Sequence, residues 1–110
     1  MIAVIFEAVV QPGGEEDYLG RAAELRPILE TIDGFISVER FRSLSDSSKI
    51  LSLSFWRDEG AVREWRAQET HRAAQAAGRA GVFHDYRLRV AEILRDYGLN
   101  DRSEVPCDLA

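Results

Sequence analysis

Apolar residues alternate or recur at helical spacing along most of the chain, and this pattern predicts six main elements. Ile2 to Val10 is β-branched and apolar on both faces except at Glu7, which predicts a strand. Gln11-Pro12-Gly13-Gly14 breaks it, and Glu15, Glu16 and Asp17 then set negative charge in a first helical turn, where the backbone dipole favours it. Leu19, Ala22, Ala23, Leu25, Leu29 and Ile32 recur every three or four positions and predict a helix to about Thr31, with a kink or loose turn at Pro27. Asp33-Gly34 stops it. Phe35 to Arg42 alternates, with Ile36 and Val38 expected on one face and Phe35 and Phe41 on the other. Ser43 to Lys49 is a polar loop. Ile50 to Arg57 alternates again, with Leu51, Leu53 and Phe55 opposed to Ser52, Ser54 and Trp56. Asp58 is a cap for a second helix that turns Ala61, Val62 and Trp65 inward. That stripe loses phase around Gln68 to Thr70, where Thr70 starts a further helical piece, His71 to Ala77, closed by Gly78 and Gly81. Tyr86 to Tyr97 is the last strand.

The order β-α-β-β-α-β is that of a ferredoxin-like α+β domain. It predicts one antiparallel sheet with both helices on one face, the first and third strands adjacent at the centre and the fourth beside the first. Residues 1–97 make up this domain, and residues 98–110 form a polar C-terminal tail. The first two strands carry apolar residues on both faces, so the sheet face left open by the helices needs a cover. Two such sheets packed face to face, a homodimer, are the economical arrangement.

Composition narrows the function classes. The chain has 110 residues, 45% hydrophobic and 30% charged, which is an ordinary soluble domain. A net charge of −5 with scattered arginines leaves no basic stripe to neutralise phosphates, so nucleic acid is not an expected partner. No apolar run approaches the roughly 20 residues that span a bilayer. MIAVIFEAVV has no basic leader and alternates like a strand rather than a signal peptide. With one cysteine, Cys107, an internal disulfide is ruled out, and the expected location is the cytoplasm.

Candidate chemistry concentrates between Gly34 and His71, where two indoles and an imidazole meet at the junction of strand and helix. His71 is the leading candidate for a general base, because an unperturbed imidazole titrates near neutrality; its bland alternative is a solvated position at a helix start. Glu7 is the second candidate, since a carboxylate among Ile5, Phe6 and Val9 is costly to bury unless paired. Arg87 and Arg89 on the last strand are its expected partners, in a structural ion pair or a functional site. Trp65, Gln75, Phe83 and Tyr86 are candidate substrate contacts, with core packing as the alternative for the aromatic ones. Trp56 is expected on the opposite face, at the dimer interface. His71 and His84 are thirteen apart with no HxxxH pattern, so neither a metal nor another cofactor is expected.

Gly34-Phe35 after the first helix, ILSLSFW before the second, REW within it, ETHRAAQAAGR and DYRLRVAEILRDYG together resemble the antibiotic biosynthesis monooxygenase family. The resemblance covers nearly the whole chain and rests on the order and spacing of these segments. It implies a dimeric α/β barrel built from two ferredoxin-like units. It also implies a cofactor-independent monooxygenase that uses O2 on a small aromatic or quinol-like molecule. The haem-degrading branch implies an asparagine in the first strand, a tryptophan in the second helix and a histidine ten positions later. Trp65 fits, but Glu7 and Gln75 stand at the other two places, and an amide is a poor haem ligand beside an imidazole. A non-catalytic small-molecule-binding protein on the same fold is the remaining alternative.

Overall fold

The computed structural model describes residues 1–75 and 83–109, the side chains of residues 69–75 excepted. The elements are β1 (Ile2–Val10), α1 (Glu15–Leu29), β2 (Phe35–Arg42), β3 (Lys49–Trp56), α2 (Glu59–Gln75) and β4 (Phe83–Glu92), with a short 3-10 turn at Cys107–Leu109. The strands form a four-stranded sheet in the order β2-β3-β1-β4, antiparallel at every pairing. This is the predicted ferredoxin-like arrangement.

Strand register sets which side chains face the helices. Ile2, Val4, Phe6 and Ala8 of β1 lie opposite Trp56, Ser54, Ser52 and Ile50 of β3. Ile5 and Glu7 lie opposite Leu53 and Leu51 on the other face. The helix-side core has two centres. Ile2, Leu29, Ile32, Trp56, Ala61 and Val62 pack together at one end of the sheet, and Val10, Tyr18 and Ile50 at the other.

Four local departures from the sequence pattern have physical causes. A register shift between Phe35 and Ser37 brings Phe35 and Val38 to the same side, so the expected grouping of Phe35 with Phe41 does not form. The first helix ends at Leu29, two residues short of the expected end. Pro27 offers no N–H to the turn before it, and the chain tightens beyond it through bonds from Thr31 N to Ile28 O and Ile32 N to Leu29 O. The second helix runs without a break through Gln68 to Thr70, because polar residues on one face do not interrupt a helix that keeps its backbone bonds. The expected closure at Gly78 and Gly81 lies outside the described residues. Finally, β4 begins at Phe83 and ends at Glu92, earlier at both ends than the pattern suggests. Its ladder with β1 stops where β1 begins, at a last bond from Ile93 N to Met1 O.

The turn into β2 depends on Gly34, whose φ of +94° is open to glycine and strained for other residues. A Cβ there would also stand 2.8 Å from Cβ of Ala61. The close approach lets Gly34 O accept the Arg57 N–H at 2.7 Å, which ties the end of α1 to the start of α2.

Candidate active-site cavity

Between the helix-side face of the sheet and the two helices lies a cavity of about 550 Å³. Its floor is two rows of the sheet: Val38, Ser54, Val4 and Val90, then Arg40, Ser52, Phe6 and Leu88. Its roof is Tyr18, Ala22, Leu25 and Leu29 of α1 with Val62 and Trp65 of α2. The residue types follow from the alternation of each strand, which sends every second side chain inward.

Aromatic rings line both ends. Trp56 and Trp65 stack with centroids 6.5 Å apart, and Phe35 meets Trp56 edge-on at 5.3 Å. At the other end Phe83 lies 5.4 Å from Tyr18 and 5.6 Å from Phe6, both edge-on. Tyr86 stands 5.6 Å from Phe6 and 6.1 Å from Phe83 at the outer margin, mostly exposed. Such edge-on and stacked pairs are the favoured aromatic geometries.

The polar lining is Arg21, Glu24, Arg26, Arg40, Ser52, Ser54 and Arg66. Trp56 donates its indole N–H to Ser54 Oγ at 2.9 Å, which satisfies both buried groups. The Arg40 guanidinium lies 5.9 Å over the Tyr18 ring, and its Nε is buried with no hydrogen-bond acceptor among the described residues. Arg21 and Arg26 also line the cavity and are paired along α1 with Asp17 and Glu30, at 3.3 and 3.2 Å.

The structure brings Trp65 and Phe83 to opposite ends of the cavity wall, with Tyr86 beside Phe83. It does not bring Glu7 there. Glu7 occupies the face turned away from the helices, with Oε2 at 3.3 Å from Arg89 and 3.8 Å from Lys49. Arg89 is therefore the ion-pair partner expected from the sequence, while Arg87 lies directly across the ladder. His71 and Gln75 fall on the described backbone of α2, and their side chains lie outside the described residues. The expectation that Trp56 faces a partner subunit is corrected: it is 1% exposed, the most enclosed large side chain of the core. Alternation separates the two faces of this strand without saying which the helices cover, and they cover the one that carries Trp56. Sequence reasoning also missed Tyr18, Arg40 and the two serines. The bulge at Phe35 hides the inward phase of Val38 and Arg40, and Tyr18 replaces Leu19 on the buried side of α1, leaving Leu19 41% exposed.

An antiparallel four-stranded sheet with two helices over one face and a cavity between them defines a ferredoxin-like α+β domain. The chain belongs to the antibiotic biosynthesis monooxygenase family, whose pattern it matches over residues 1–77. It is 49% identical over 105 residues to a protein of Pyricularia oryzae named jasmonate monooxygenase. The alignment takes in 96% of this chain and 49% of that protein, so the chain spans about half the length of this relative. Among solved structures it superposes on SnoaB of Streptomyces nogalater, a cofactor-independent oxygenase, with a TM-score of 0.70 and 16% identity. That match covers 86% of this chain and 94% of the other. MhuD, solved with two manganese porphyrins in each active site, gives a TM-score of 0.69 at 23% identity, covering 89% and 99%. At these identities the two structures share the fold.

Proposed function

We propose that this domain is a monooxygenase that oxidises a small, largely apolar molecule with O2 in the cavity beneath Trp65, without a metal or organic cofactor. The observation that carries the reading is the cavity itself: about 550 Å³ between sheet and helices, walled by two stacked indoles at one end and Phe83 at the other. This has the size and apolar character of a site for a small organic molecule. The fold shared with a cofactor-independent oxygenase and the close relative named jasmonate monooxygenase support it.

Cofactor-free oxygenation requires the substrate to supply electrons. A carbon converted from CH2 to C=O gives up four, reducing one O2 to the carbonyl oxygen and one water. Removal of a substrate proton first raises its electron density, and His71, on the helix that carries Trp65, is the residue we assign to that step. A substrate hydroxylated at an unactivated C–H needs two more electrons from a reductant, so jasmonate is a test of a different balance from a quinol. In solution we place the domain in a homodimer formed through the open sheet face. The exposed, unpaired Cys107 is consistent with the reducing cytoplasm, and among the described residues no helix is long and apolar enough to cross a membrane.

The test is oxygen uptake and product mass with phenols, hydroquinones and jasmonate, each with and without NADPH, using ¹⁸O2 to follow the inserted atom. Incorporation of one labelled oxygen by the metal-free protein is expected. His71→Ala should slow turnover about 10²–10⁴-fold. No uptake above the uncatalysed rate with any of these substrates would leave the domain a binding protein.

A further inference from the structure

The cavity floor is not uniform across the sheet. Arg40 of β2 stands at one edge, directly opposite Ser52 of β3 in the ladder, and both line the cavity. Cross-strand neighbours of this kind have Cβ atoms about 5 Å apart, so a guanidinium and a hydroxyl face the same space. Beyond them the floor passes through Phe6 to Leu88 of β4 and holds no further charge. The order β2-β3-β1-β4 separates the charged edge from Leu88 by three strand spacings, about 14 Å.

Arg40 differs from its neighbours in the cavity wall. Arg21 and Arg26 each meet a carboxylate one helical turn away. Arg40 lies over the Tyr18 ring, and among the described residues no carboxylate pairs with it. A guanidinium stays charged at any physiological pH and always presents five N–H donors. Its Nε is shut off and without an acceptor, so the donors left to meet a carboxylate are those of the two terminal Nη groups, themselves a fork that fits two oxygens. The Tyr18 ring meets that guanidinium from the roof of the cavity, 5.9 Å from its centre.

We infer that the molecule taken up by this cavity is an amphiphile with a carboxylate, seated on Arg40 and Ser52, whose apolar body extends across Phe6 towards Leu88. On the floor of the cavity Arg40 is the one charged residue, with Ser52 beside it and hydrocarbon and ring surface beyond, while Arg21 and Arg26 of the roof are already paired with Asp17 and Glu30. Arg40 is thus a specificity-determining residue that fixes which end of the ligand lies at β2. This rests on the cavity being the ligand site, and it adds a chemical class and an orientation to that reading.

Octanoate and methyl octanoate share an apolar chain and differ in charge, so their binding separates the two ideas. Titrated into the native protein and followed by the fluorescence of the Trp56–Trp65 pair, the acid should bind about 10-fold or more tighter than the ester. Arg40→Gln should abolish that preference by weakening the acid while leaving the ester unchanged. Circular dichroism checks that the variant is folded; if it is not, Arg40→Lys replaces it, with a reduced preference expected because the paired donors are lost. Equal binding of acid and ester by the native protein, or a variant that keeps the full preference, would overturn the carboxylate site and leave the cavity as a neutral-ligand site. Binding of neither compound would overturn both.

Discussion

Two tryptophans nine residues apart have different tasks because their burial differs. Trp56 is enclosed on all sides, with its N–H held by Ser54, so Trp56→Ala removes ring contacts and strands a hydroxyl. We expect a loss of about 3–5 kcal/mol in urea unfolding. Trp65 packs against the same cluster but is only half-buried and forms cavity wall. Its replacement by alanine should cost about 1–2 kcal/mol, in line with its partial burial, and should weaken octanoate binding. A larger loss at Trp65 than at Trp56 would show that the cavity wall, rather than the core, carries the stability of this end. Charge at single residues is legible in a different way. Asp58 was identifiable as a cap from its place before an apolar stripe, and its Oδ1 does accept the Ala61 N–H at 2.9 Å. The Arg57 guanidinium, first, and the Ala61 N–H hold its carboxyl below the ordinary value of 3.8. A depressed carboxyl contributes stability above its unfolded value and loses it as pH falls through the folded one. The melting temperature of Asp58→Ala should therefore lie a few degrees below native at neutral pH, and the gap should close below pH 3.8. A gap that persists at pH 2 would assign the effect to something other than the carboxylate.

Among the elements, type and order followed from periodicity, and the errors fall where periodicity carries no information. Alternation in β1 and β3 gave both strands to within a residue, because each side chain direction is fixed by the pleat. Alternation in β2 misled at its first residues, since a bulge adds one residue to one strand without any mark in hydropathy. The same shift explains why Arg40 was invisible as a cavity residue while Phe83 and Trp65 were not. Strand ends also escape a single chain segment, because β4 stops where its neighbour stops. Gly34 is the element-scale point most open to test. Gly34→Ala meets both a left-handed backbone and the Ala61 methyl, and should cost about 1–3 kcal/mol in urea unfolding. Gly34→Ala with native stability would mean that the α1–β2 turn relaxes and that the Arg57–Gly34 bond is not needed.

At the scale of the whole molecule, the sheet face away from the helices presents Ile5, Leu51, Leu53 and Phe55, all only half-covered, beside Phe41 at 44% exposure. Glu7 lies among them with Arg89 and Lys49 within 4 Å of it, ion pairs that would offset its charge if a second sheet covered this face. A homodimer through this face turns half-covered side chains into core, which a domain of this size needs more than a large one does. Leu53 sits near the centre, between Ile5 and Glu39 in the two ladders. Light scattering should give twice the 12.4 kDa chain mass for the native protein at micromolar concentration and the single mass for Leu53→Glu. A monomeric native protein would remove the dimer, and a dimeric Leu53→Glu would move the interface to another face. The tail belongs to the same question. From Gly98 it forms a turn closed by Gly98 N to Asp101 O and by Arg102 over the Tyr97 ring, and none of its described residues joins either core cluster. Leu99 and Leu109 remain 89% and 60% exposed, as expected of side chains that reach a second subunit. A chain ending at Tyr97 should therefore keep its circular dichroism and cooperative unfolding at high concentration, and dissociate at a higher concentration than the full chain. Loss of folded structure in the dissociated, truncated chain would instead make the tail part of each subunit's own stability.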